Sequence, residues 1–417
     1  MSEVHVSRRA RLRDRCAAST AHDGPADAVL VSSPSNVRYL TGRAVQGGVL
    51  LLGPDGHDTL FCPPGESAGG AHPADDLREA APPADAAQTE PGTAAGVPSG
   101  PADAAPAGSA GSAGSAGSAG SAGAAGAAGA AGDAAVAAAR LAAESGARAL
   151  AVEEHHLTVA RHRALGAAAP ALRLADLGLA VEQQRLVKDE EEISALRVAA
   201  EITDQALGEL LESILVGRTE RHLALELDRR LIDHGAEGPA FPTSVATGPH
   251  SGLAGHRPTD RRVEEGDFLT VRLGARYRGY RCQIGRTFVI GTAPDDWQIE
   301  LYDLVFAAQR AAREALEPGV ECREVDRAAR QVLEGAGYGQ ALGSTTGQGV
   351  GLEIGEDPRL SPAAMGKLDA CVPVTVEPGV HLPGRGGVRI DDTLVVRPQA
   401  DGGPELLTIT TKELLAL

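Results

Sequence analysis

Two periods of hydrophobic and polar alternation divide the 417-residue chain. In its first part short apolar runs recur between turn residues: AVLVSS at 28–33, ended by Pro34, then GGVLLLG at 47–53, and DTLFC after the PDG turn of 54–56. Such runs predict buried strands. A helix is expected over 8–20, an Ala-rich helix over 133–145, a strand, ALAVE, at 149–153, and a further helix from Thr158. This is the pattern of a small α/β unit.

Further along, the period becomes helical. Ile193, Leu196, Ala199, Ile202, Ala206 and Leu210 recur at helical spacing and predict a long amphipathic helix. Another helix follows Thr219, whose hydroxyl suits an N-cap. The chain then reaches GDFLTVRLGARYRGYRCQIGRTF, where Phe268 to Leu273 and Arg281 to Val289 alternate on either side of a Gly- and Tyr-containing turn. That predicts a β-hairpin, with Arg272 and Gly274 on one face of one strand and Arg281, Gln283 and Gly285 on one face of its partner. Cys282 then points the other way, into the core. Helices at about 297–316 and 322–336 and strands near 371–377 and 387–396 complete an α+β second domain. The boundaries are set at 1–182 and 183–417. Ala/Pro-rich and then Gly-Ser-Ala sequence over about 82–132 offers too little apolar surface to offset ordering entropy and is read as a flexible inserted loop.

Composition excludes more than it identifies. The formal charge of −17 and pI near 5.2 argue against a nucleic-acid partner. The run Arg8, Arg9, Arg11, Arg13 and Arg15 is read as the solvated face of a first helix. Cys16, Cys62, Cys282, Cys322 and Cys371 are widely spaced without a CxxC pair, which indicates neither a disulfide framework nor a thiolate zinc site. No apolar stretch approaches the ~20 residues of a membrane span, and the N-terminus lacks a secretory apolar region. A cytoplasmic protein without a membrane partner is expected.

Seven segments carry a resemblance. SNVRYLTG, RLVKDEEEISALRVAAEITDQAL, AGHRPTD, EEGDFLTVRLGARYRGYRCQIGRTF, TTGQGVGLEIGEDP, VTVEPGVHLP and GGVRIDDTLVV resemble, in order and spacing, segments of the pita-bread family of Xaa-Pro aminopeptidases and dipeptidases, methionine aminopeptidase and creatinase. The resemblance covers nearly the whole chain outside the insertion. It implies a C-terminal pita-bread domain, preceded by a smaller creatinase-type α/β domain, and a homodimer. It also implies metal-assisted hydrolysis, in which two divalent ions such as manganese, cobalt or zinc lower the pKa of a shared water.

The ligand positions depart from that pattern. Carried over residue by residue, the five ligands become Arg272, Gln283, Gln348, Glu377 and Asp391, and the auxiliary histidine becomes Gly355. Arg272 repels a metal and can pair with the remaining acids, as can Arg281 or Arg389. No dinuclear centre and no metal cofactor are therefore expected, and Arg272 also disfavours a single ion on Glu377, Asp391 and His256. The resemblance leaves His256, Glu377 and Arg389 as candidate catalytic residues. Creatinase's own pattern is not reproduced, since Gly285, Gln348 and Asp391 stand where its glutamate and two histidines fall. The reading is a metal-free pseudo-peptidase that binds a peptide or small amide ligand. The alternatives are a metal-independent hydrolase or lyase using His256 as acid/base, and a residual Xaa-Pro peptidase.

Overall fold

A computed structural model describes residues 2–18, 24–63, 77–80, 134–213 and 215–417. The inserted loop expected over 82–132 lies outside the described residues. The chain forms two compact units, residues 1–180 and 181–417.

In the first unit α1 (Ser2–Ala17) leads to β1 (Ala28–Val31), α2 (Pro34–Thr41), β2 (Val49–Leu52), β3 (Asp58–Phe61) and β4 (Leu77–Ala80). Helix α3 (134–144), β5 (Ala149–Val152), α4 (Val159–Ala168) and β6 (Arg173–Asp176) follow. The strands form one mixed sheet in the order β4-β3-β2-β1-β5-β6, with β1 parallel to β5 and antiparallel to β2. Pro34, which ends the first apolar run, also begins α2, because its fixed φ and missing N–H suit a first helical turn. The arginine run forms the solvated face expected of it only in part: Arg11 and Arg15 are exposed, but Arg8 and Arg9 are not. Arg9 is buried and its Nε donates to Asp58 at 2.6 Å, while buried Arg8 donates to the Tyr39 carbonyl and stacks on the Tyr39 ring at 4.0 Å. Side chains that tie α1 to β3 and α2 satisfy these charges.

The second unit runs from α5 (Ala180–Arg185) through α6 (Glu190–Leu211), α7 (Glu220–Asp233), β7 (Gly238–Pro239), β8 (Ser244–Thr247), β9 (Phe268–Leu273), β10 (Ala275–Tyr277), β11 (Tyr280–Arg281) and β12 (Ile284–Val289). Then come α8 (Asp296–Glu314), α9 (Cys322–Gly335), β13 (Gly347–Val350), β14 (Ile354–Leu360), β15 (Pro373–Val376), β16 (Gly379–Leu382), β17 (Gly386–Arg389), β18 (Asp392–Val395) and β19 (Glu405–Leu406). Asp189 caps α6 in a reciprocal capping box with Glu192, and Thr219 caps α7 through the His222 amide. Helices α6 and α7 cover the Leu269, Val271, Leu273, Ile284 and Phe288 side of the β12-β9-β8 sheet. Helices α8 and α9 cover apolar residues of β15 to β18, including Val374, Val388 and Leu394.

Strands β9 and β12 pair antiparallel with Arg272 opposite Gly285, so both share the face turned away from α6 and α7. The expected single hairpin is interrupted, however. A side chain at Gly274 would meet the Cys282 carbonyl at 1.9 Å, and at this crossing the chain leaves the sheet to form the separate β10–β11 hairpin beside β7. Arg281 leaves with it, donating to the Leu352 and Ala240 carbonyls rather than to an acid. Cys282 is buried as expected, on the Ala199 carbonyl and Thr203, and burial pushes its thiol up to about 12.

The two sheets are joined by a buried ion pair. Arg286 Nη2 donates to Asp392 Oδ1 at 2.8 Å, with both side chains fully enclosed, and the same guanidinium serves the Gly285, Asp391, Thr410 and Thr411 carbonyls. Asp392 also accepts from Thr408 and pairs with Lys412. Breaking such a pair on one side costs about 3–5 kcal/mol, here toward the lower end because Lys412 still faces Asp392, while the four carbonyls lose their donor. Arg286→Met should lower the unfolding free energy by that much in urea titrations, and half-exposed Arg230→Met by less than about 1 kcal/mol. Equal losses in the two variants would contradict the assignment.

Candidate ligand site

The strand ends around the β12–β18 junction bring five of the singled-out residues together. Arg272 projects from β9, Gln283 immediately precedes β12, Glu377 follows β15, and Arg389 and Asp391 flank the turn from β17 to β18. Arg272 Nε lies 3.0 Å from Asp391 Oδ2 and its Nη2 lies 3.4 Å from Glu377 Oε2. Arg389 Nε reaches the two Asp391 oxygens at 2.7 and 2.9 Å, and its Nη2 donates to Glu377. Gln283 Nε2 donates to Asp391 Oδ2 at 2.9 Å. Asp391 is thus fully buried with its oxygens saturated by three side chains. Burial pushes its carboxyl up, but the Arg389 and Arg272 guanidiniums outweigh this and hold it below the usual range. The same two acids overcome the burial of Arg389 and raise its pKa.

Gln348 belongs to the rim. Its backbone carbonyl accepts from Thr375 at 3.3 Å, Thr375 donates to Glu377, and its side-chain oxygen accepts from Arg359 across the β13–β14 pairing at 2.7 Å. Glycines 347 and 349 allow that close approach, since a Cβ there would meet carbonyls at 2.1 and 2.3 Å.

His256 is not brought to Glu377 or Arg389 by any hydrogen bond. Its Nε2 lies 2.9 Å from Oε2 of Glu220, the first residue of α7, and His250 Nδ1 lies 2.9 Å from the other oxygen. The Glu220 carboxyl, pushed up by burial, is held below the usual range by the Thr259 hydroxyl, the Thr247 amide and His256. His381, on β16, sits on the same face of the β16–β17 hairpin as Arg389, because Gly379 two residues earlier pairs with Arg389. Its Nδ1 lies 3.2 Å from the Ser251 carbonyl, and burial together with Arg389 depresses its pKa. Glu220, His250, His381 and Arg359 escape sequence reasoning. No local spacing links Glu220 to two histidines some thirty residues away, and the strand pairing that brings Arg359 to Gln348 passes through irregular register.

This arrangement of strands and covering helices in the second unit defines the pita-bread class. Metallopeptidase family M24 matches residues 194–398, and the creatinase/prolidase N-terminal domain matches 8–90. An uncharacterized peptidase of Bacillus subtilis, YqhT, is 35% identical over 272 residues, covering 65% of this chain and 76% of that protein. A Xaa-Pro dipeptidase of Pyrococcus furiosus is 39% identical over 235 residues, 56% of this chain, and the match spans 66% of the dipeptidase's length. Among solved structures, a Xaa-Pro dipeptidase from Bacillus anthracis superposes with a TM-score of 0.79 at 27% identity, over 99% of this chain and 100% of that one. An X-Pro aminopeptidase from Thermotoga maritima gives 0.75 at 26%, over 94% and 98%. The chain belongs to metallopeptidase family M24.

Family membership corrects one expectation, that no metal cofactor is required. The family is a metallopeptidase family, and Glu220, His250 and His256 place three ligand atoms within 4.8 Å of one another, a group able to hold an ion. The inference from Arg272 extended a property of five positions to the whole domain. Among the described residues no helix is long and apolar enough to cross a membrane.

Asp391 makes the site's acid response calculable. A depressed folded pKa contributes stability that is full above the unfolded value of about 3.9 and lost as pH falls through the folded one. Asp391→Asn removes that contribution. Its deficit relative to wild type should stay constant from neutral pH to about 5 and shrink below about 4, as read by denaturant unfolding at each pH. A deficit that grows on acidification would contradict the assignment.

Proposed function

We propose that this chain is a Xaa-Pro peptidase-like protein that has lost the family's paired-metal centre and uses the cleft as a pseudo-peptidase, to bind a peptide or small amide ligand. One observation carries this reading: the 3.0 Å contact of Arg272 with Asp391, on a carboxylate that Arg389 and Gln283 also hold. Two such ions need strongly negative surroundings, whereas Arg272 and Arg389 here balance Glu377 and Asp391. The donor set at Arg272, Gln283, Gln348, Glu377 and Asp391 does not fit a pair of divalent ions.

Gln283 supports an amide ligand. With Nε2 on Asp391, its Oε1 is buried without a protein hydrogen-bond partner, and reversing the amide would aim oxygen at a carboxylate. Leaving such an acceptor unmet costs about 1–3 kcal/mol; because Gln283 is fully buried, an incoming amide N–H recovers this only after the side chains around it move apart. Acid/base catalysis by His256 has less support, because its Nε2 is directed to Glu220. The proposal includes a homodimer and a cytoplasmic location, and sedimentation equilibrium should return twice the 42.6 kDa chain mass.

The triple variant Arg272→Asp, Gln283→Asp, Gln348→His tests the reading. It should gain a pair of manganese ions with the exchange-coupled electron paramagnetic resonance spectrum of a dinuclear centre, which the wild type should lack. A coupled pair in the wild type, together with cleavage of a Xaa-Pro dipeptide, would overturn it.

A further inference from the structure

Away from the strand-end residues, a cluster within the second unit has the composition of a metal site. Glu220 opens α7, His250 lies in the short 3-10 turn Gly248–Gly252, and His256 lies in the loop that follows. Glu220 is fully enclosed. The two imidazole rings face each other with centroids 4.5 Å apart, each presenting one nitrogen to a different carboxylate oxygen at 2.9 Å.

The hydrogen-bond count on that carboxylate does not close. A carboxylate offers about four lone-pair sites. Glu220 faces five donors: the Thr247 amide at 2.8 Å, the Thr259 amide at 2.9 Å, the Thr259 hydroxyl at 2.7 Å and the two imidazoles. The three threonine donors are those of a carboxylate fixed in orientation by an outer shell, as metal-bound carboxylates are. That leaves one donor in excess, and the two imidazoles are the ones free to turn their nitrogens to a cation, which between them and the oxygens relieves the crowding.

We propose that Glu220, His250 and His256 form a mononuclear site for a divalent transition metal of the zinc and cobalt class. Two imidazoles and one carboxylate are a zinc-type donor set that leaves a coordination position open, whereas magnesium or calcium would call for oxygen ligands. Ordinary bonds of about 2.0–2.2 Å to nitrogen and oxygen close on a 2.9 Å N···O spacing with an angle of about 90°. Little rearrangement is therefore needed beyond loss of the two shared protons. The His250 side chain, 29% exposed, gives the ion its way in. The nearby Arg261 guanidinium is occupied by Asp267 at 3.0 and 3.2 Å. This site is separate from the Glu377 and Asp391 pair, whose oxygens Arg272 and Arg389 hold.

Cobalt(II) titration of the metal-stripped full chain tests the proposal without reference to any activity. The visible absorption of four- or five-coordinate cobalt should saturate at one equivalent per chain and be bleached by zinc. His250→Ala, at a partly exposed position, and Glu220→Gln should each weaken binding by more than about tenfold, the loss usual for even an outer-shell partner. Glu377→Gln should leave it unchanged. Folding of each variant is checked by circular dichroism, and His250→Ala decides the question should the buried Glu220 variant fail to fold. No cobalt uptake by the wild type, full uptake by folded His250→Ala, or loss of uptake in Glu377→Gln would each overturn the site.

Discussion

At Gly285 and Asp391 the backbones of two separate sheets meet and exchange both hydrogen bonds, at 3.1 and 3.0 Å. The contact is possible only because residue 285 has no side chain: a Cβ there would stand 2.6 Å from Asp391 Cγ. Arg286, one residue on, grips both carbonyls of the junction and ends on Asp392, so the seam is locked from within by a charge that no water reaches. Much else in the second unit follows. Because Arg272 pairs with Gly285 across β9 and β12, the seam itself delivers the Asp391 carboxylate under the Arg272 guanidinium. Because β18 begins at Asp392, the same seam sets the register by which Thr393 exchanges hydrogen bonds with the Gln283 backbone. Any larger residue at 285 would have to displace Asp391, and with it the ion pairs to Arg272 and Arg389.

How much of this was legible in the sequence depends on the range of the interaction involved. Strand alternation placed Arg272 and Gly285 on one face and Cys282 on the other, since a period of two is a property of the backbone alone. The same rule failed one residue before Cys282, at Arg281. Alternation assumes an unbroken strand, and the close crossing at Gly274 breaks it. Arg8 and Arg9 were misread for a related reason. Charge on a helix suggests solvent until a partner is known, and Asp58 and the Tyr39 carbonyl come from elements far along the chain. Glu220 and His250 were invisible for want of any local signature, since an N-terminal helix residue and a loop histidine meet only once the β8 connection has folded.

The cleft and the histidine cluster illustrate opposite solutions to burying carboxylates. At Asp391 and Glu377 the countercharge is covalent, supplied by two arginines whose pairing raises one pKa and depresses another. Such an arrangement is self-sufficient, and its net charge leaves nothing for a second cation to neutralise. At Glu220 the carboxylate oxygens meet hydroxyl, amide and imidazole groups and, among the described residues, no arginine or lysine, with more donors than lone pairs. The first arrangement sets two guanidiniums on its carboxylates, and the second sets two imidazoles on one. On the proposals made above, the divalent ion therefore belongs not among the strand ends but at the start of α7, where among the described residues no arginine or lysine pairs with the buried Glu220 carboxylate.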